Sequence, residues 1–474
     1  MFKNQYTVSF FPTLKPCDVK WNELYIYLGE KTEYTSNEKC LIIGKAVSSV
    51  HSGKTQKDIA EDLQQIDSSI EAIEYFNTVA GRYVVFIKIE DDILFFTDAC
   101  GFKRGLCFND GIYKFITSSE KFAAFLFDIN LSIDEDARTL VEQAKYKRQE
   151  SPWFGMSSYD ARFKFVIPNH YLNCTQFKLF RMAAPNSSET TYDPANMLMT
   201  TLSNFSRNYK LMQPITAGID SRVLLAASKL IKSKVIYYVF GEKNSPHEDV
   251  RISKQLSDIN NNQLEVFTCN EANVDFKKSL MEEVFLARDL PKTNNIYFHF
   301  KHTSNEYINI NGNGAEIYRS YYGITNKSLG PNSLAQLEGV SEWPLLKKGI
   351  KNWYVETGAV LYAKENDISI PDLFYWEQRV AIWGSMYPLE QDYAIDEVSP
   401  FSNRMLLFKM LRESSHDRGG PQFNSSRRII QKLKPNLLNV PINPDSTSHG
   451  IVGLMKKSTL IRLALKFIKN KLVN

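Results

Sequence analysis

Residues 211–222, reading Leu-Met-Gln-Pro-Ile-Thr-Ala-Gly-Ile-Asp-Ser-Arg, carry the most specific chemistry in the chain. Apolar Leu211, Met212 and Ile215 lead into a small-residue turn of Thr216, Ala217 and Gly218. Ile219, Asp220, Ser221 and Arg222 then open an apolar helical run, Val223 to Ala227. A strand that passes through a tight turn into a helix gathers backbone N–H groups and the positive end of a helix at one spot, which suits a phosphate. Asp220 beside it is placed to hold a magnesium ion against phosphate oxygens. A second constellation lies about a hundred residues on, where alternating apolar residues from Ile308 end in Gly312-Asn313-Gly314, followed by Ala315 and Glu316. Arg319, three residues beyond Glu316, would share its helical face and reach a pyrophosphate or a substrate carboxylate.

These motifs need elements to carry them. At 474 residues the chain exceeds one core of usual size, so two domains are expected. Up to about residue 185 the pattern reads as short β segments: Tyr6–Phe11, Leu41–Ile43, Tyr83–Ile87, Ile93–Phe96, Tyr113–Ile116 and Phe163–Ile167. Polar pairs such as Asp91-Asp92 and Asn109-Asp110 close hairpins between them, giving a largely antiparallel first domain. The Ser/Thr-rich stretch Ala184–Thr191 is the linker candidate. Beyond it, helices near 194–209, 221–232 and 247–258 alternate with strands at 211–216, 235–240 and 264–267, which predicts a parallel sheet with crossover helices. Helices dominate from about 270 onward. The fold class is therefore α/β, a β-rich antiparallel domain over 1–185 followed by a Rossmann-like parallel-sheet domain over 190–474.

Several function classes fall away. A net charge of +4 gives no clustered basic face for nucleic acid. Cys17, Cys40, Cys100, Cys107, Cys174 and Cys269 show no CxxC or CxxH spacing, so zinc and redox motifs fail and reduced thiols are expected. The histidines never fall in HxH or HExxH spacing. Ser48–Thr55 copies the end of a P-loop, but Ser48 stands where the first Gly belongs and no helix is evident beside it, so it reads as a loop. Sequon-like triplets such as Asn173-Cys174-Thr175 carry no weight without a secretion signal. Neither a leader nor a long apolar span is visible, and the expected location is the cytoplasm. The basic, acid-free segment 451–474 is expected to dock on its own domain or to touch an anionic membrane surface.

Residues 216–221 resemble the SGGxDS pyrophosphate loop of the asparagine synthetase superfamily, with Thr216 for its Ser and Ala217 for its first Gly. The 308–322 segment resembles that superfamily's G-x-G-S-D motif, Glu316 falling on its metal-binding Asp. Gly81–Phe86, Leu94–Asp98, Gly101–Phe108 and Phe115–Ser119 follow the order of its Ntn-type amidotransferase domain. The likeness runs from about residue 75 to 445. It implies a PP-loop ATP pyrophosphatase domain, with Val239 and Phe240 at the adenine, Asp249 as the acid of a helix capped by Ser245, and Arg379 and Arg404 on the acceptor side. The implied ligands are ATP and Mg²⁺.

Three further departures bear on mechanism. Phe2 stands where the glutaminase nucleophile, a cysteine after the initiator methionine, belongs, and a benzyl group cannot do acyl chemistry. β-Lactam synthetases and lasso-peptide cyclases also lack that cysteine, and they use amines other than glutamine-derived ammonia. Asn313 replaces the Glu or Tyr that members carry between the glycines, and an amide accepts no proton at neutral pH. The region Pro435–Pro444 lacks the family's C-terminal lysine, with Arg427, Arg428, Lys432 and Lys434 nearby. The resemblance implies adenylation of a small-molecule carboxylate and transfer to an amine, in surface-glycan or natural-product assembly. A non-catalytic nucleotide binder, glutamine- or ammonia-dependent asparagine synthesis, and lactam or lasso cyclisation stay open.

Overall fold

The structure is a computed structural model that describes residues 1–146, 152–186, 192–241, 247–290, 292–304, 306–323, 325 and 328–443. Ser245, the 187–191 part of the linker, Pro444 and the basic segment 451–474 lie outside the described residues.

Up to Arg181 the chain builds two six-stranded sheets whose described pairings are all antiparallel. The strand Val79–Ile89 shows what stacks them. Val79, Tyr83, Val85, Ile87 and Ile89 belong to one apolar core, while Val84 and Phe86 between them belong to another. Successive side chains point to opposite faces, so a strand apolar in both sets must be covered on both sides. One face meets Ile59, Leu63, Ile73 and Phe76 from the region of helices Gln56–Asp62 and Ser69–Phe76. The other meets Tyr6, Val8, Ile26 and Ile116 of the partner sheet. On that sheet's outer side, the Phe115 ring stacks on Phe127 of helix Glu120–Phe127 at 4.5 Å between centroids. The result is a helix–sheet–sheet–helix stack, its two sheets antiparallel as expected of this part of the chain.

Helices Gln56–Asp62, Ser69–Phe76 and Glu120–Phe127 escape a periodicity search because they are short, and their caps mark them. Ser68 and Ser119 each accept a first-turn N–H. Thr55 and Asp58 form a capping box, so the expectation of no helix beside Ser48–Thr55 is wrong: Gln56–Asp62 follows directly. The turn is still no phosphate cradle, because its donors are engaged. Gly53 N donates to Asn204 Oδ1 at 2.7 Å, Thr55 N to Asp58 Oδ2 at 2.8 Å, and Lys54 pairs with Asp62.

After helix Pro194–Asn208 come five parallel strands in the spatial order Leu264–Phe267, Val235–Phe240, Lys210–Pro214, Tyr307–Ile310, Asp396–Val398. The first strand in sequence is central in space, and the chain winds outward from it on both sides. Between Lys210–Pro214 and Tyr307–Ile310 the order reverses, and in open parallel sheets the ligand crevice opens there, beyond the carboxyl ends. The central strand stops at Pro214 and the helix begins at Ile219, so the turn lies two residues earlier than the expected 211–216 strand and 221–232 helix suggest. Among the described residues no helix is long and apolar enough to cross a membrane.

Buried ions join the two parts. Arg82, on the long antiparallel strand, donates from both terminal nitrogens to Asp392, each at 2.6 Å, and reaches Asp396 at 3.3 Å. Arg82 and Asp392 are both almost wholly buried. Removing one member of a buried pair leaves an uncompensated charge, at a cost of about 3–5 kcal/mol. Arg82→Met is therefore expected to lose stability on that scale, read as a lowered urea midpoint.

Candidate functional site

The loop Ile215–Gly218 leaves the central strand with its own amides already engaged. Ile215 N donates to Tyr238 O at 2.8 Å, Thr216 N to Ser221 Oγ at 3.1 Å, Ala217 N to Asp249 Oδ1 at 2.8 Å, and Gly218 N to Thr216 Oγ1 at 3.2 Å. These bonds shape the turn. Donors for an anion are left to the first turn of helix Ile219–Ala227, whose N-cap, Gly218, supplies no capping side chain. Asp249, at the start of helix Glu248–Asn260, thus grips the loop; that helix is capped by His247, whose Nδ1 accepts from Asp249 N at 3.3 Å.

Arg222 does not face an anion. It is wholly buried, and its guanidinium donates to the carbonyls of Leu437 (3.2 Å), Val440 (2.5 Å) and Pro441 (2.8 Å). Asn443 N closes the same clasp on Ala217 O at 3.1 Å. The segment after helix Asn424–Leu433 is strapped against the loop by these bonds.

The second motif comes off the neighbouring strand. In Tyr307–Ile310 and the residues after it, Asn309, Asn311 and Asn313 alternate with apolar or small residues, and all three line one cavity. Gly312 approaches Asp220 so closely that a Cβ there would sit 3.0 Å from the Asp220 Cβ. Gly314 has φ +89, and a Cβ would meet Cys100 Sγ at 2.9 Å. Gly314 therefore requires glycine, whereas a Cβ at Gly312 would have to push Asp220 aside. Cys100 belongs to the Asp98–Lys103 turn of the antiparallel part, where the buried Asp98 carboxylate accepts the N–H groups of Cys100, Phe102 and Lys103 and the hydroxyl of Ser402. Phe102, from that turn, lines the cavity.

Asp220 and Glu316 converge on one cation. Arg319 Nη2 lies 3.2 Å from Asp220 Oδ2 and 3.6 Å from Glu316 Oε1. Glu316 Oε2 accepts from Gly314 N at 3.0 Å, whereas Asp220 Oδ1 is buried and has no hydrogen-bond partner. That orphaned oxygen, with a second carboxylate at hand, fits Mg²⁺, which commonly takes one or two carboxylates and completes its shell with phosphate oxygens and water. Among the described residues no group of three or more His, Cys, Asp or Glu side chains is placed for a metal, so substrate oxygens would be needed. Arg319 sits between the carboxylates, three residues beyond Glu316, where the sequence reading has it reach a pyrophosphate or a substrate carboxylate.

The cavity, about 420 Å³, opens at the carboxyl ends of the central strands. Thr216, Gly314, Glu316 and Phe240 line it; Val239 is buried in the sheet, its backbone in register with Val266. Residues 375–384 form a π-helical stretch that presents Tyr375, Arg379 and Trp383 to it. Such stretches often occur at functional sites. Arg379 stacks on Trp383 at 4.2 Å and pairs with Glu338. Arg404 lies elsewhere: it is buried against Asn169, Asn77 and Ala183 of the antiparallel part and serves that interface. Neither Arg427, Arg428, Lys432 nor Lys434 lines the cavity. Arg427 donates to Gln422 O (2.7 Å), Arg428 pairs with Glu413, Lys432 with Asp193 (3.2 Å), and Lys434 donates to Asn260 Oδ1 (2.8 Å).

Sequence reading missed Tyr238, Arg288, Lys292, Asn309, Asn311, Tyr387 and Glu397 on the cavity wall. Period-two spacing of Asn309, Asn311 and Asn313 was a usable signal; the others come from separate elements. Phe2 is buried on Phe122 and Phe125, with ring centroids 5.1 and 5.5 Å away, and its N–H donates to Glu283 Oε2 at 2.8 Å. No thiol stands at that point.

Neither protein-family models nor curated proteins give a match to this chain. Among solved structures, it is similar to a glutamine-dependent NAD⁺ synthetase from Acinetobacter baumannii in complex with ADP, at 12% identity over 65% of this chain and 75% of that one, with a TM-score of 0.21. It is also similar to a glutamine phosphoribosylpyrophosphate amidotransferase from B. subtilis complexed with ADP and GMP, at 9% identity over 67% and 71%, with a TM-score of 0.17. TM-scores this low carry no fold or activity across.

Burial raises the Asp220 carboxyl above its ordinary value; Arg319 opposes the shift and Glu316 adds to it. A carboxyl raised in the folded state holds its proton longer than in the unfolded chain, so its contribution is present below about pH 4 and is lost as pH rises through the folded value. Asp220→Asn should therefore gain stability relative to wild type as pH rises from 4 to 7, read as the difference in urea midpoints.

Proposed function

We propose that this chain is an ATP-dependent carboxylate–amine ligase related to the asparagine synthetase superfamily, forming AMP and pyrophosphate. The observation that supports it best is the convergence of Asp220 and Glu316, from two strands adjacent at the reversal of strand order, beside an uncapped helix start and a cavity. In this reading the triphosphate rests on the first turn of Ile219–Ala227, with Thr216 and Ser221 shaping the loop and the adenine toward Val239 and Phe240. Mg²⁺, held by Asp220 and Glu316, would neutralise charge on the phosphates and activate the α-phosphorus. Arg319 would supply further positive charge to the departing pyrophosphate, and the loop and cavity would hold a carboxylate in line. The acyl adenylate then passes to an amine. Phe2 argues against ammonia made from glutamine by this chain, so the amine is an added substrate, and an amide of a sugar acid or amino acid in surface-glycan or natural-product assembly is the product class.

A second reading, a nucleotide binder without catalysis, draws on Arg319 lying between the two carboxylates and on Asn313. Labelled pyrophosphate exchange into ATP, screened over sugar acids and amino acids, separates the two. The ligase is expected to show carboxylate-dependent exchange that drops on the order of 100-fold in Asp220→Asn, the usual scale for losing one stabilising group. Tight ATP binding with no exchange over the panel supports the binder.

A further inference from the structure

Arg319 also lines a second cavity, of about 540 Å³, with Ser320, Tyr321, Ser415, Gln422 and Phe423. Tyr321 packs on Tyr375 with ring centroids 4.6 Å apart, and Tyr375 lines the cavity at the strand ends, so the two spaces are neighbours. Two polar atoms of the second cavity's wall are stranded. Arg319 Nε is buried and has no hydrogen-bond partner, although Nη2 of the same guanidinium reaches Asp220 and Glu316. Ser320 Oγ is buried without a partner too, in a residue only 6% exposed. Buried polar atoms are nearly always satisfied, and two consecutive residues left open beside a cavity call for an acceptor from a ligand. Ser320 is also held at φ +50, a left-handed conformation that is strained for a side-chain-bearing residue. Strain of this kind gathers at ligand clamps.

The lining selects the ligand's charge. Among the described residues that form it there is no Asp or Glu, and Arg319 is the one permanent cation. Asp417, next to His416 of the wall, is taken up elsewhere: it accepts from Ser414 Oγ and Asn424 Nδ2, each at 2.9 Å. A ligand ammonium would find no counter-charge here, and an unpaired charge is costly to take out of water. A single carboxylate, by contrast, is matched by Arg319. Ser415, Tyr321 and Gln422 add hydroxyls and an amide, groups that both give and accept hydrogen bonds, as the hydroxyls of a ligand do. We infer that this cavity seats the carboxylate substrate, and that this substrate is a sugar acid with no free amine. Its carboxylate accepts from Arg319 Nε and Ser320 Oγ, and its hydroxyl-bearing ring lies toward Ser415, Gln422 and Tyr321. The inference rests on the ligase reading and deepens it, choosing the sugar acid over the amino acid. Arg319 then joins the two halves of the reaction, with Nη2 on the carboxylates of the phosphate side and Nε on the acyl substrate.

The test measures labelled pyrophosphate exchange by the full-length protein with a panel of uronates, D-glucuronate and D-galacturonate among them, against L-aspartate and other amino acids. Exchange is expected with a uronate and not with the amino acids. In Ser320→Ala the KM for that uronate should rise about tenfold with kcat held, the scale of one hydrogen bond to a charged group. Ser320→Gly removes the same hydroxyl but accepts a positive φ, so an equal rise there assigns the effect to the hydroxyl and not to a misfolded turn. An unchanged KM in both variants, or exchange with an amino acid and with no uronate, overturns the inference while the ligase reading stands. No exchange with any acid of the panel overturns both.

Discussion

Parallel pairing of Lys210–Pro214 with Tyr307–Ile310 is the constraint on which the rest of the site depends. Its register, Lys210 with Tyr307 and Met212 with Asn309, brings both strands to their carboxyl ends side by side. The loops that follow must therefore begin next to each other, however much chain separates them. Gly312 packing on Asp220 is the direct consequence, and Arg319 reaching both carboxylates is the next. Slip that register by one residue and Asn309 and Asn311 turn to the opposite face, taking the hydrogen bond to Glu397 with them.

The antiparallel part does structural work for this site. Its Asp98 turn sets Cys100 against Gly314 and Phe102 in the cavity wall, and Trp376 of the π-helical stretch donates to Ala99 O at 2.7 Å in the same turn. Arg82 and Lys45 reach the Asp392–Asp396 region, which leads into the strand bearing Glu397. Such charges are stable in the interior only when paired, so both parts of the chain must close on each other for either to be satisfied. That gives a physical reason for the two parts to stay closed on each other.

Much of the frame was legible because it is local. Alternation of helices and strands after residue 190 gave the parallel sheet, and the strands at 235–240 and 264–267 match to the residue. Alternating apolar residues gave the antiparallel strands, though Val79–Ile89 extends well past the expected core at 83–87 because both its faces are covered. Short capped helices in the first part, such as Gln56–Asp62, left no periodic trace long enough to read. Among candidate site residues, the approach of Asp220 and Glu316 was legible since each follows a turn whose small residues mark a close approach. Arg222 was misleading: its place beside the loop suggests an anion contact, but burial turned it to the carbonyls of 437–441.

By itself the sequence determined which turns could carry acids at strand ends, that a thiol nucleophile is absent at position 2, and that the chain alternates into a parallel sheet, because all of these are properties of neighbouring residues. Only the tertiary structure decided that Arg319 bridges the two carboxylates, that Asp249 grips the loop, and that Glu397 faces the cavity with one oxygen unpaired. Those facts depend on pairings across tens to hundreds of residues and on which polar groups lose water together. Neither leaves a mark on the local pattern of the chain.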